Sequence, residues 1–405
     1  MTEIADVEVA DSSDDGAGST PSADETLRHF TADFDVAGIV RRMNDKNFIV
    51  PSYNPPPDTH ANYAGFQRDY VWSKKQKDRF IESLLLSYPV PGVFLVEQPG
   101  RTYLVLDGQQ RIRTLTEFVN GTDTTTDRVF RLRYASEDGP FAGKSFAELN
   151  DADKNLLLNA FIQVTVVVPK SPGRLQGVYQ LFERINSGGT NLQPQEIRVA
   201  LYAGSRVDAV RSMNLDTDWR ALFGPLHSRM KDAELILRYL ALRQVAIRYS
   251  ALGWNREAPR AWLEAEQDPS AVEKQQVYRA PLNQFLNAYL ESLGDGGAPD
   301  SSSVDGFISA CRVLAPIGRA ALRLDDSPQV NAAHADAVLV GLSLSTRLNS
   351  GTTDLTDPAL LQAVAASLSA LEAHSSYQSA VRESTSHLAS VHKRLELAVA
   401  AFKDL

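Results

Sequence analysis

Residues 103–116 constrain the fold of this chain more than any other stretch. Leu104, Val105 and Leu106 form an apolar run that stops abruptly at Asp107-Gly108. Gln109, Gln110 and Arg111 come next, and an amphipathic stretch then continues through Phe118. The order dictates a buried strand, a glycine turn and a helix whose first turn carries two amides and a guanidinium. Unbonded backbone N–H groups at a helix start attract anions, and an arginine beside them completes the chemistry of a phosphate site. Asp107, closing the strand, is placed to hold a metal ion or to orient a water or hydroxyl. The same residues also make an ordinary turn with a polar helix start, so the motif needs context.

Strand and helix patterns alternate over residues 31–200. Helical spacing over 34–44 (Phe34, Val36, Ile39, Val40, Met43) precedes a short strand at 48–50 and a proline-rich loop at 51–60. Ser73 and Gln76 have capping-box spacing at the head of a helix over 73–88. Strands over 93–97 and 102–107 flank a turn at 98–101, and 129–134 reads as a further strand. Residues 146–161 read helical, 162–168 are the most β-branched run present, and 175–185 return to helical spacing. Beyond 200 the pattern is helical only, with segments at 234–248, 281–293, 304–324, 332–348, 358–374 and 384–402. In the first of these, Leu235, Leu237, Leu240, Leu242 and Val245 stand among regular charges. The expected class is α+β: a mixed N-terminal domain over 31–200 and an all-helical domain over 201–405.

Charge is uneven. Residues 1–30 hold eight acids and one base, so this segment carries −7 of the formal −9 and leaves −2 for the rest. Its Ser, Gly, Asp and Ala content buries little apolar surface, which predicts a disordered acidic tail over 1–30. The general basic balance of a constitutive DNA binder is missing. The single cysteine, Cys311, excludes an internal disulfide and reads as a small buried residue on a helix. No apolar run reaches membrane-spanning length and no signal-peptide order opens the chain, so the cytoplasm is the expected location. Phosphate-loop, serine-elbow and zinc-helix motifs are missing. His387 and His392, five apart on one predicted helix, fall on different faces.

Three ordered segments carry a family resemblance: Phe66-Gln67-Arg68-Asp69-Tyr70-Val71-Trp72, then Asp107-Gly108-Gln109-Gln110-Arg111, then Leu181-Phe182-Glu183-Arg184-Ile185-Asn186-Ser187-Gly188-Gly189-Thr190. Together with Arg229-Met230-Lys231-Asp232-Ala233-Glu234 they resemble the domain of unknown function 262 family. That family includes the N-terminal part of GmrSD-type modification-dependent restriction enzymes, with a core resembling the ParB/sulfiredoxin fold. Many fuller members carry a C-terminal His-Asn-His nuclease domain, whose motif is not recognisable here. The resemblance implies a nucleoside triphosphate as ligand, DNA restriction or anti-phage defence as context, and a separate nuclease or defence subunit as partner.

On that basis Asp107, Gln110 and Arg111 are the catalytic candidates, with Asp107 as candidate Mg²⁺ ligand. Arg68, Gly108, Gln109, Arg113, Asn186, Gly188, Gly189 and Thr190 are the nucleotide-binding candidates. Alternatives stand beside each. Tyr70 and Trp72 suit a stacking wall or the core, the 186–190 loop suits phosphate or a helix C-cap, and Lys231 suits the cleft or a capped helix start. Two further readings of the whole remain: a non-catalytic adaptor for DNA or protein, and a stand-alone nuclease using Asp107 and nearby acids.

Overall fold

The acidic N-terminal segment takes part in the fold at two places. In the computed structural model the described residues are 7–10, 27–50, 72–135, 139–169, 175–185, 193–202, 204–255, 277–279, 281–294, 296–350 and 352–405. The chain divides into two units, one of residues 21–192 and one of residues 1–20 with 193–405. Strand β1 (Val9–Ala10) belongs to the second unit, where it runs parallel to a strand at Val330–Asn331. In the first unit, β2 (Arg28–Asp35) already starts at residue 28. The expectation of a free tail through residue 30 is therefore corrected at both sites. Extended backbone bonding uses main-chain groups, so an acidic, Ser-rich composition does not forbid it. Deleting residues 1–30 should remove three of the eight β2 pairs and all of β1. We expect a loss of about 1–3 kcal/mol, read as a melting temperature lowered by several degrees. An unchanged melting temperature would show that these pairs contribute nothing.

The first unit is built on a five-stranded mixed sheet. Its other strands are β3 (Phe48–Ile49), β4 (Val93–Gln98), β5 (Thr102–Asp107) and, after a small hairpin of β6 (Thr122–Asp123) and β7 (Arg128–Val129), β8 (Phe161–Val168). The order is β2-β8-β4-β5-β3, with β4 parallel to β8 and antiparallel to β5. The β-branched run at 162–168 thus fills the second position, where Ile162, Val164, Val166 and Val167 are buried. On one face Ile162, Val164, Val166, Leu95 and Val105 join a core with α1 (Val36–Asn44), α2 (Lys74–Leu85), α3 (Gln109–Asn120) and α4 (Asp151–Leu158). On the other, Val167, Val96 and Leu104 are successive register partners and all buried. Helix α5 (Gln176–Ile185) packs against β5 and buries Val178, Tyr179 and Phe182.

Two local expectations shift. Phe34 lies in β2 rather than in a helix, because Asp35 caps α1 by accepting from the Gly38 amide at 2.8 Å. Of the strand expected over 129–134 only Val129 is in a strand, as the second residue of β7.

A buried ionic cluster joins α2 to α3. Lys77 Nζ donates to Glu117 Oε2 at 3.2 Å, Asp123 Oδ1 at 3.4 Å and Thr125 Oγ1 at 3.1 Å. Beside it Lys74 pairs with Asp78 and sits 3.7 Å from the Phe130 ring centroid. Burial pulls the Lys74 ammonium below its usual range, against the opposing pull of Asp78. This cluster sets the first turn of α2 beside the last turns of α3, so α3 is held rigidly from its C-terminal end.

The second unit is helical: α6 (Pro194–Leu201), α7 (Ser205–Met213), α8 (Thr217–Phe223), α9 (Lys231–Ala251), α10 (Leu282–Ser292), α11 (Ser301–Leu314), the strand β9 (Val330–Asn331), α12 (Ala332–Ser343), α13 (Pro358–Glu372), α14 (Ser375–Arg382) and α15 (Leu388–Phe402). Cys311 is buried on α11, as expected. Helix α9 buries charged residues as well as apolar ones. Asp232, Glu234, Arg238 and Arg243 are buried along with its leucines, so it passes through the core. The mixed sheet and the helical region together make the class α+β.

Candidate functional site at the start of helix α3

Strand β5 delivers Asp107 to the sheet edge through an irregular register. Asp107 pairs with Phe94 and Val105 with Leu95, which leaves Leu106 as an extra residue. Such a bulge bends the strand and re-aims the side chains at its end. Gly108 then adopts φ +91 and stands as the N-cap of α3. A Cβ on Gly108 would lie 2.9 Å from Val93 Cγ2 and 3.0 Å from Val93 Cγ1, so both conformation and space call for glycine here. Glycine has no side chain with which to cap. No acidic residue occupies the first turn, and the first helical bond of α3 runs from Ile112 N to Gly108 O at 3.0 Å. Among the described residues nothing accepts from the amides of Gln109, Gln110 and Arg111. Three N–H groups at the positive end of a twelve-residue helix are thus open to an acceptor.

The side chains around these amides are already engaged in part. Arg111 Nη2 donates to Asp107 Oδ2 at 2.6 Å; the carboxylate side chain is 45% exposed and the guanidinium side chain 11%. Gln109 Nε2 donates to the Val105 carbonyl at 3.3 Å. Gln110 Oε1 is buried and has no hydrogen-bond partner. A buried carbonyl oxygen without a donor is costly, and it marks a place where a donor from a ligand or solvent would be stabilised. Arg113 lies two residues beyond Arg111, about 200° around the helix at 100° per residue, so the two arginines do not share a face.

The structure thus brings Asp107, Gly108, Gln109, Gln110 and Arg111 together. Arg68, Asn186, Gly188, Gly189 and Thr190 lie outside the described residues, as do Gln67 and Tyr70. Helix α5, which precedes the 186–190 segment in sequence, packs on β5. Trp72 meets Phe80 edge-on at 5.4 Å and packs against the main core, so the core reading applies to it. In the helical unit, the Asp232 carboxylate accepts from Asn214 Nδ2 at 3.0 Å, Arg220 Nη1 at 2.9 Å and the His227 amide at 3.2 Å. Lys231 pairs with Glu234 at 3.5 Å. The 229–234 motif therefore ties loops to a helix start, although its N-cap is Met230 in a left-handed conformation with no side-chain cap. The sequence did not single out Val93, whose methyl groups press on Gly108; nothing in an apolar strand residue signals such a contact.

Asp107 is a single carboxylate already paired with a guanidinium. Among the described residues no group of three or more His, Cys, Asp and Glu side chains could hold a metal.

Comparison with family models finds a match for part of the chain. Residues 42–203 match the GmrSD restriction endonuclease N-terminal domain. The match includes the Asp107–Arg111 turn, all of the five-stranded sheet except β2, and helix α6. Comparison with curated proteins and with solved structures returns no match. A GmrSD N-terminal domain points to a role in a restriction system. No helix among the described residues is long and apolar enough to cross a membrane.

Proposed function

We propose that the GmrSD-like unit binds the phosphates of a nucleoside triphosphate at the start of α3. The protein would thereby act as the nucleotide-sensing, regulatory part of a cytoplasmic restriction or anti-phage system directed at DNA. The observation that carries this reading is the uncapped α3 start with Arg111 one turn in. Backbone amides and a guanidinium would share the phosphate oxygens, and Gln109 and Gln110 would bond the flanking oxygens or a water. Arg68 and the 186–190 segment are the candidates to close the site. Cleavage of DNA is assigned to a separate nuclease subunit. Turnover of the nucleotide is the further step, read as Mg²⁺-dependent release of inorganic phosphate.

The test is a thermal-shift panel of four ribonucleoside triphosphates, with and without Mg²⁺, on the full chain. A ligand at a hundred times its Kd stabilises the folded state by about 2.7 kcal/mol, a shift readily seen. Arg111→Ala should lose the shift while melting near the wild type, because its partner Asp107 is nearly half exposed and the ion pair contributes little to stability. The second reading, a non-catalytic adaptor, is favoured by one observation: Arg111 already pairs with Asp107, as a purely structural turn would have it. It would be supported by no shift with any nucleotide, together with a clear drop in melting temperature for Arg111→Ala.

A further inference from the structure

We propose that the outer edge of β2 is a homodimer interface, where β2 of a second copy pairs antiparallel with Thr31 opposite its own counterpart. Strand β2 ends the sheet, and among the described residues no strand or backbone group bonds to its outer side. The opposite end of the sheet is β3, whose two residues are too short an edge to recruit another chain. Neither length nor shape protects β2. Its eight residues follow β8 in one continuous register, without bulge, proline, glycine or lysine. That register decides which groups face outward. Val36 N donates to the Ala160 carbonyl at 3.0 Å in continuation of it, so the even-numbered residues of β2 bond to β8. Antiparallel ladders alternate, and His29, Thr31 and Asp33 therefore turn their main-chain groups to the open side. All three are exposed.

The occupant follows from the charge order of this row. It runs histidine, threonine, aspartate, so a two-fold axis at Thr31 sets each His29 against the second copy's Asp33, imidazole N–H to carboxylate. Each of the three residue pairs then exchanges two main-chain bonds. On the other face Phe30, 49% exposed, lies opposite the second copy's Ala32 and diagonal to its Phe30. Shifted registers lose the match. Centred on Phe30, the pairing sets His29 against Thr31. Centred on Ala32, it sets His29 against Asp35, whose carboxylate already accepts from the Gly38 amide. So short a pairing makes a weak, reversible dimer.

The experiment is sedimentation velocity on the full chain over about 1–100 µM, the range in which a weak interface is populated. Wild type should pass from monomer to dimer as concentration rises. Thr31→Pro removes an outward N–H without removing a bond to β8, so it should stay monomeric while melting near the wild type. His29→Asp places like charges opposite each other twice and should raise the Kd about tenfold. His29→Asp with Asp33→His restores opposite partners in this register alone, and should return the Kd to within about threefold of wild type. Because both positions are exposed, the swap tests the interface even if the proline variant fails to fold. A wild type that remains monomeric at about 100 µM, a folded Thr31→Pro that dimerises as well, or a charge swap as weak as His29→Asp alone overturns the proposal.

Discussion

Asp336→Ala should destabilise the helical unit by about 3–5 kcal/mol, because it strands two arginines in an apolar interior. Asp336 on α12 accepts from Arg238 Nε at 3.0 and 3.2 Å and from Arg238 Nη2 at 2.7 Å. Arg394 Nη2 donates to the same carboxylate at 3.1 Å. All three side chains are buried, so two guanidinium charges share one acidic partner. Burial holds the Arg394 guanidinium below its usual pKa, and the nearby Asp336 is the main force resisting that shift. Arg238 comes from α9 and Arg394 from α15, so the carboxylate links three helices. Domains of this kind are stable by only about 5–15 kcal/mol, and the expected loss is a large share of that. Differential scanning calorimetry should show the transition of this unit about 10 °C lower. Asp336→Asn, which keeps an acceptor oxygen but not the charge, should fall between. Replacing all three by apolar residues, as Arg238→Met, Asp336→Leu and Arg394→Met, should recover most of the loss, since the charges and their desolvation cost leave together. An alanine variant within about 1 kcal/mol of wild type would mean the pair contributes no more than a surface salt bridge.

That ion triad also shows where sequence patterns stop being informative. In the sequence the charges of α9 stand at regular intervals among its leucines. Yet Asp232, Glu234, Arg238 and Arg243 are buried. Hydropathy treats arginine as a surface residue, whereas a guanidinium with a fitted carboxylate is accommodated in a core. The partner of Arg238 lies 98 residues further along the chain, and no local window contains it. Strand β2 escapes a sequence reading for a related reason. It is an edge strand at an end of the sheet, and Arg28, His29, Phe30 and Thr31 are exposed, so it lacks strong alternation. The legible features are local: the capping box at Ser73 and Gln76, the β-branched run at 162–168, and the strand–glycine–helix order around Asp107.

For the candidate site the same division holds. The order of Asp107, Gly108 and Arg111 places a carboxylate at a strand end and a guanidinium in the next helix's first turn, and the structure has both. Their mutual ion pair is not evident from that order, although i,i+4 spacing permits it. Asp107 precedes the helix, and the pair forms only because the left-handed Gly108 turns the chain back. A residue's charge is visible in sequence, but whether that charge is already engaged depends on backbone geometry.

Gly108→Ala should test how tightly that geometry is held, with an expected cost of about 2–4 kcal/mol. Part of it is the left-handed backbone, about 1–2 kcal/mol for a residue with a Cβ. The rest is overpacking, typically about 1–3 kcal/mol, because Val93 is almost fully buried and has no room to yield. Adding Val93→Ala separates the two. It removes the methyl groups that the new Cβ would meet, but leaves φ unfavourable. The double variant should therefore lose less stability than the sum of the single variants, with a coupling of about 1–2 kcal/mol in denaturant unfolding. Ligand response divides the same way. Gly108→Ala should displace the start of α3 and abolish the nucleotide-induced thermal shift even where the protein remains folded, since a misplacement of about 1 Å is enough to disrupt a preorganised site. Relief of the clash in the double variant should return part of that shift. Wild-type melting and full nucleotide response in Gly108→Ala would show that the turn relaxes freely, and the rigid phosphate cradle would have to be abandoned.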